Sequence, residues 1–264
     1  MLMNVFRQLE LLNENISLLI SNVEEFFHET APSKSESQFI QDLIIHITTK
    51  YKAVPALIIH SFEIPSIKSP MNLVMRGICS DLINLRYLLE FRRRASLGNY
   101  DINKASEYIN SEIKVLTAEF IRSISQLDEN QEEGLMTNYK TTYPYLFKNN
   151  RILTSKEIRP HDSDLIDLSH GNFMSEYQRY KFFKNEKEPY LDDLFIIFKY
   201  YCQFQHSTPF TQILIKNDLN FDYRNITQIT NTFIAILINS ALFPEDRLGP
   251  IGKKLEEIQR RLGS

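Results

Sequence analysis

At 264 residues and 31.1 kDa the chain has the length of one large domain, because a single hydrophobic core stops growing at roughly 250–300 residues. Its 43% hydrophobic and 24% charged residues exclude a disordered or low-complexity protein. A net charge of −3 and a pI near 6.1 remove any global electrostatic drive toward nucleic acid.

The seven glycines are few for a sheet protein, whose turns need many positive-φ positions. The expectation is therefore an all-α fold, a multi-helix bundle of about seven to nine helices with one long irregular insertion. Cys79 and Cys202 each fall in an apolar run and lack zinc-ligand spacing, so they read as reduced core thiols of a cytoplasmic protein. Glu10 and Glu14 interrupt the first residues where a secretion signal would be apolar, and no run is long enough to cross a bilayer. Neither secretion nor a membrane role is expected. The sequons at Asn15 and Asn225 lie inside helical patterns and read as chance matches.

In chain order, Leu9, Leu12, Ile16, Leu19, Val23 and Phe27 recur every three or four residues and predict a helix over 5–30, ended by Pro32. A second helix runs from Ser35 to about Phe62, kinked or divided at Pro55. A third starts at Pro70 and ends near Leu97, before Gly98. Asp101 caps a fourth, through Leu127, and these four form an antiparallel up-and-down set over 1–128.

Periodicity fails over 129–160, where Gly134, Pro144, Asn149 and Asn150 mix with several tyrosines. That segment reads as a surface-wrapping insertion with short helical pieces, a contact loop or lid. Helical patterns return over 163–183, 189–206, 222–243 and 251–262, so that 161–264 supplies the central and C-terminal helices of a single domain. The stretch Tyr190 to His206 is apolar on most of its circumference, which predicts a rod in the middle of the bundle.

Three polar constellations carry potential chemistry. On the helix from Pro70, Val74, Ile78, Leu82, Leu85 and Leu89 form one stripe, and Asn72, Arg76, Ser80, Ile83, Tyr87, Glu90 and Arg94 form the other. Arg76 there has the planar fork that recognises a phosphate or carboxylate; the plain alternative is a solvated face. On the helix ending at His206, Asp192, Lys199, Gln203 and His206 share a strip. A histidine at a helix C-terminus also has a structural reason to be there, since the dipole favours the protonated ring.

The third constellation is His161, Asp162, Asp164, Asp167 and His170, whose ligand types suit a metal but equally suit a helix start. Glu25 and His28 make one Glu-x-x-His, without the second copy a di-metal bundle needs. No glycine-rich phosphate loop, His-Glu-x-x-His or Gly-x-Ser-x-Gly occurs. No metal or cofactor is expected. Arg92, Arg93 and Arg94 are the basic cluster that offers an RNA contact.

With Arg76, Asp81 and Glu90 on an early helix and an aromatic-rich helix ending at His206, the chain resembles a loose group of uncharacterised all-helical bacterial proteins similar in look to HEPN-type bundles. The resemblance covers about 71–243, and Cys202 stands where that group tends to have a serine four residues before the histidine. It implies a bacterial stress or defence setting. Active HEPN ribonucleases use Arg-x(4–6)-His, whereas here Arg159 is too close to His161 and Arg151 too far, so Arg76 and His206 would have to act from separate helices.

The sequence thus predicts a cytoplasmic helical protein acting mainly through binding to a protein partner or a second copy, the latter built on the terminal helices. The alternative is a metal-independent ribonuclease using Arg76, Glu90 and His206, with Asp81, Tyr87, Lys199, Gln203 and the three arginines as binding residues.

Overall fold

The computed structural model describes residues 2–29, 35–63, 68–97, 111, 114, 115, 117, 118, 121, 122, 132–158, 176–185, 187–203 and 219–263. The described chain is all-α, apart from one two-stranded hairpin. The helices are α1 (Leu2–Glu29), α2 (Ser35–Tyr51), α3 (Val54–Glu63), α4 (Lys68–Ser96), α5 (Glu132–Thr142), α6 (Ser155–Ile158), α7 (Glu176–Phe183), α8 (Tyr190–Cys202), α9 (Leu219–Asn239) and α10 (Glu245–Gly263). The chain divides into two compact units, Met1–Glu90 with Ser175–Ser264, and Phe91–Met174.

In the first unit α1 packs against α2, α3, α9 and α10, and α9 packs against both α8 and α10. The terminal helices meet inside one chain: Phe243, just before α10, lies 4.3 Å from the Phe26 ring and 5.4 Å from the Phe27 ring. Arg247 closes the same contact, 2.7 Å from Glu29 and over the Phe26 ring. The described residues of the expected fourth helix over 101–127 belong to the second unit, while within the first unit α1 packs on the C-terminal helices.

The break after α2 comes at Lys52–Ala53, and Pro55 enters at the second position of α3, where a missing N–H costs no helical hydrogen bond. Pro250 lies six residues into α10, a helix expected to begin only at Ile251, and its missing N–H deprives the Asp246 carbonyl alone.

Which helices are interior corrects the sequence reading. Along α4 from Met71 to Glu90 only Leu73 is exposed, and along α9 from Asp222 to Ile238 no residue is. The helix expected at the centre, α8, buries Leu191, Leu194, Ile197, Phe198 and Tyr201 but leaves Asp193, Ile196 and Lys199 in solvent. Apolar content all round did not bury it, because isolated surface hydrophobics cost little. The core between these rods includes Tyr51 stacked on Phe233, rings 5.8 Å apart and 7° from parallel.

The second unit is built on a small core of Ala118, Ile121 and Leu146, covered by Tyr139, Tyr143, Phe147, Ile152 and Ile158. Its hairpin pairs Phe147 with Ile152 and Lys148 with Arg151. Asn149 and Asn150 make the two-residue turn with φ of 50° and 62°, the left-handed pair that a type I′ hairpin turn demands. Tyr139 and Tyr143 of the insertion thus cover a core of this unit, while Tyr145 is exposed.

Candidate functional site

The residues singled out on α4 go to three different environments. Asp81 receives Lys50 of α2 at 2.6 Å, with His46 Nε2 at 3.7 Å. Gly77, one turn earlier, leaves the space this needs: an added Cβ would stand 3.3 Å from the Lys50 ammonium and 3.7 Å from its Cδ and Cε. Asp81 therefore clamps α2 to α4. Tyr87 is buried edge-on against Phe182 of α7, ring centroids 5.2 Å apart.

Glu90 is buried beside Arg86, whose Nη1 is 3.4 Å from its carboxylate while Nη2 reaches Glu188 at 2.6 Å. The Tyr190 hydroxyl also donates to Glu188, and Asn239 of α9 donates to that hydroxyl at 3.0 Å. Burial pushes the Glu188 carboxyl up, but the hydrogen bonds from Tyr190 and Arg86, the Arg86 charge and Asn185 outweigh it and hold it below its ordinary value. Burial, then Glu188, pushes the Tyr190 phenol up. This network joins α4, the turn before α8, and α9. Glu90 stands about 21 Å further along α4 than Arg76, at roughly 1.5 Å per residue. The two do not share a site.

Arg76 is different. It is half-buried, its Nε is buried without a hydrogen-bond partner, and among the described residues it enters no ion pair. One turn before it on the same stripe, Asn72 is fully buried and neither its Nδ2 nor its Oδ1 has a partner. One turn after it comes Cys79, also fully buried. Burial raises the Cys79 thiol pKa, with the nearby Cys202 and Asp81 adding to it. Burial likewise raises the Tyr201 phenol, followed by Asp222, Cys79, Tyr200 and Tyr51.

The Cys79 thiol is thus within electrostatic reach of Cys202 at the C-terminal end of α8, and the α4 stripe runs from Cys79 through Arg76 to Asn72. Across that end Tyr200 donates to the buried Asp222 carboxylate at 2.8 Å, at the start of α9, while the Tyr201 hydroxyl is buried without a partner. Sequence reasoning had placed Asn72 on the right face but gave it no role. Its signal was an amide in register with Arg76 on a helix whose both faces are covered.

The strip expected on α8 is mostly surface. Asp192 takes the Tyr180 hydroxyl at 2.5 Å and the Lys184 ammonium at 3.3 Å, which lowers its pKa through Tyr180 first. Lys199 is exposed with its ammonium over the Phe195 ring, and the exposed Gln203 donates back to the Lys199 carbonyl. His206 and the run from His161 to His170 lie outside the described residues. In the second unit Arg92 and Arg93 are exposed and Arg94 is half-buried.

Among the described residues no cluster of three or more His, Cys, Asp or Glu is placed to hold a metal ion. None of the described helices is long and apolar enough to cross a membrane. Compared with protein-family models, curated proteins and solved structures, the chain matches none.

Proposed function

We propose that this protein works by binding, and that it holds an anionic group, a carboxylate or phosphate, against Arg76 and Asn72. The observation that carries this is the orphaned pair itself. Each buried polar group without a partner costs about 1–3 kcal/mol, and native cores rarely keep such a debt in adjacent turns of one helix. Asn72 has two unpartnered atoms and Arg76 has one, with no carboxylate paired to its guanidinium among the described residues. An oxyanion in the Arg76 fork supplies acceptors for Nε, and one of its oxygens suits the Asn72 amide. Two free thiols, buried Cys79 and half-buried Cys202, fit a reducing, cytoplasmic setting.

Nitrogen–proton NMR of the arginine Nε–H groups tests the reading. Inorganic phosphate should shift one buried Nε–H resonance saturably, and that resonance should be missing in Arg76→Gln. A titration that leaves every arginine Nε–H unmoved would remove the proposal.

One observation favours a second reading, a metal-independent ribonuclease in which Arg76 stabilises phosphoryl charge and His206 moves the proton. The Cys79 thiol, one turn from Arg76, is within electrostatic reach of Cys202, and Cys202 precedes His206 by four residues in the sequence. Incubating total RNA with the wild type, Arg76→Ala and His206→Ala separates the readings. Cleavage by the wild type alone supports the enzyme, and equal or absent cleavage in all three excludes it.

A further inference from the structure

In the first unit a groove of about 490 Å³ is lined by α8, α9 and α10. Its wall includes two exposed apolar side chains: Ile196 shows 65% of its surface and Phe221 37%. Two guanidinium groups line it, Arg224 and Arg260, and among the described residues neither enters an ion pair. Arg224 lies over the Phe221 ring, 5.8 Å from its centroid. Between them Asn225 is 7% exposed, and its Nδ2 is buried without an acceptor.

The one carboxylate among the described lining residues, Asp193, is engaged by Gln228 at 3.3 Å, and Gln259 donates to Gln228 at 2.7 Å. The groove thus has donors and positive charge left over beside an apolar strip. A purely apolar ligand would leave the Asn225 amide and both arginines unanswered; a purely polar one would leave Ile196 and Phe221 in water. The volume falls within the roughly 300–1,000 Å³ of small-ligand cavities.

We propose that this groove binds a small amphiphilic carboxylate of the medium-chain fatty-acid type. The carboxylate meets Arg224, with Arg260 and the Asn225 amide as further donors, and the hydrocarbon chain covers Ile196 and Phe221. The site is separate from Arg76 and stands whether or not that residue binds an anion.

Calorimetric titration with decanoate below its micellar concentration tests this, run beside 1-decanol and the variants Arg224→Gln and Ile196→Asp. The expected result is saturable one-to-one binding of decanoate, weakened about tenfold or more by either substitution and by replacing the acid with the alcohol. Circular dichroism melts of the variants, expected to match the wild type, show that lost binding is not lost folding. No saturable heat, equal affinity for acid and alcohol, or unchanged affinity in Arg224→Gln would overturn the proposal. So would light scattering that shows a dimer dissociated by Ile196→Asp, because a second copy would then be the occupant.

Discussion

Arg86 shows how far a single side chain can organise the first unit. It is 7% exposed, touches Glu90 and Glu188, and lies 5.8 Å from the centre of the Phe183 ring. Removing one partner of such a buried set leaves uncompensated charge, so Arg86→Ala should destabilise the protein by about 3–5 kcal/mol in denaturant melts. The same node gives a pH dependence. Glu188 is held below its ordinary value of about 4.5, so its contribution is complete above that pH and is lost as pH falls through the lower folded value. Acid melts should show this loss in the wild type, and a smaller one in Glu188→Gln.

Ala241 makes the opposite case at the end of α9. It adopts φ of 52°, while Leu242 N–H reaches the Leu237 carbonyl and Ala241 N–H reaches that of Ile238. This is the left-handed helix stop that glycine usually fills, and a Cβ there costs about 1–2 kcal/mol. Ala241→Gly should therefore raise stability by about 1 kcal/mol, net of glycine's greater entropy loss. An unchanged or lowered melting temperature would contradict that account.

At the scale of elements, the insertion shows what local chemistry decides. Glu157 reaches back to the start of α6, where the Thr154 N–H and hydroxyl each donate to its carboxylate, so only the glutamate half of a capping box is made. Arg151 holds that carboxylate from the hairpin, and its hydrogen bond, followed by those from Thr154, pushes the Glu157 pKa well down. Asn150→Gly should tighten the hairpin by a few tenths of a kcal/mol, since Asn-Gly is the preferred type I′ pair; hydrogen exchange at the paired strand amides would register it.

The hairpin was legible in principle, because two asparagines between Lys148 and Arg151 are a turn signal. It was missed because strands of two residues carry no periodicity to detect. The long helices were legible because their stripes repeat over many turns. Their ends shifted by a few residues, at Pro70 and Pro250 because the helix was expected to start at or just after a proline that lies inside it instead.

At the scale of the whole molecule, sequence pattern identified helices better than it ranked their depth. Uniform apolarity suggested that α8 was central, yet α4 is the more enclosed rod despite Asn72, Arg76, Arg86 and Glu90. Those polar groups lowered its apparent hydrophobicity, and pairing explains the burial of Arg86 and Glu90. The candidate site was legible to the extent of Arg76, whose covered face could be inferred from Ile83 and Tyr87. The ion pairs of Asp81 and Glu90 were not legible, because their partners Lys50 and Arg86 are chosen by packing between helices or by competition along one.

Packing leaves the polar side-chain atoms of Asn72 and the Nε of Arg76 unanswered. Thermal melting against rising inorganic phosphate, at constant ionic strength set with chloride, tests their role directly. A ligand that binds only the folded chain raises its stability with concentration. The melting temperature of the wild type should climb with phosphate while that of Arg76→Gln stays flat. Equal climbs in both proteins would contradict the assignment of Arg76 as the anion-binding residue.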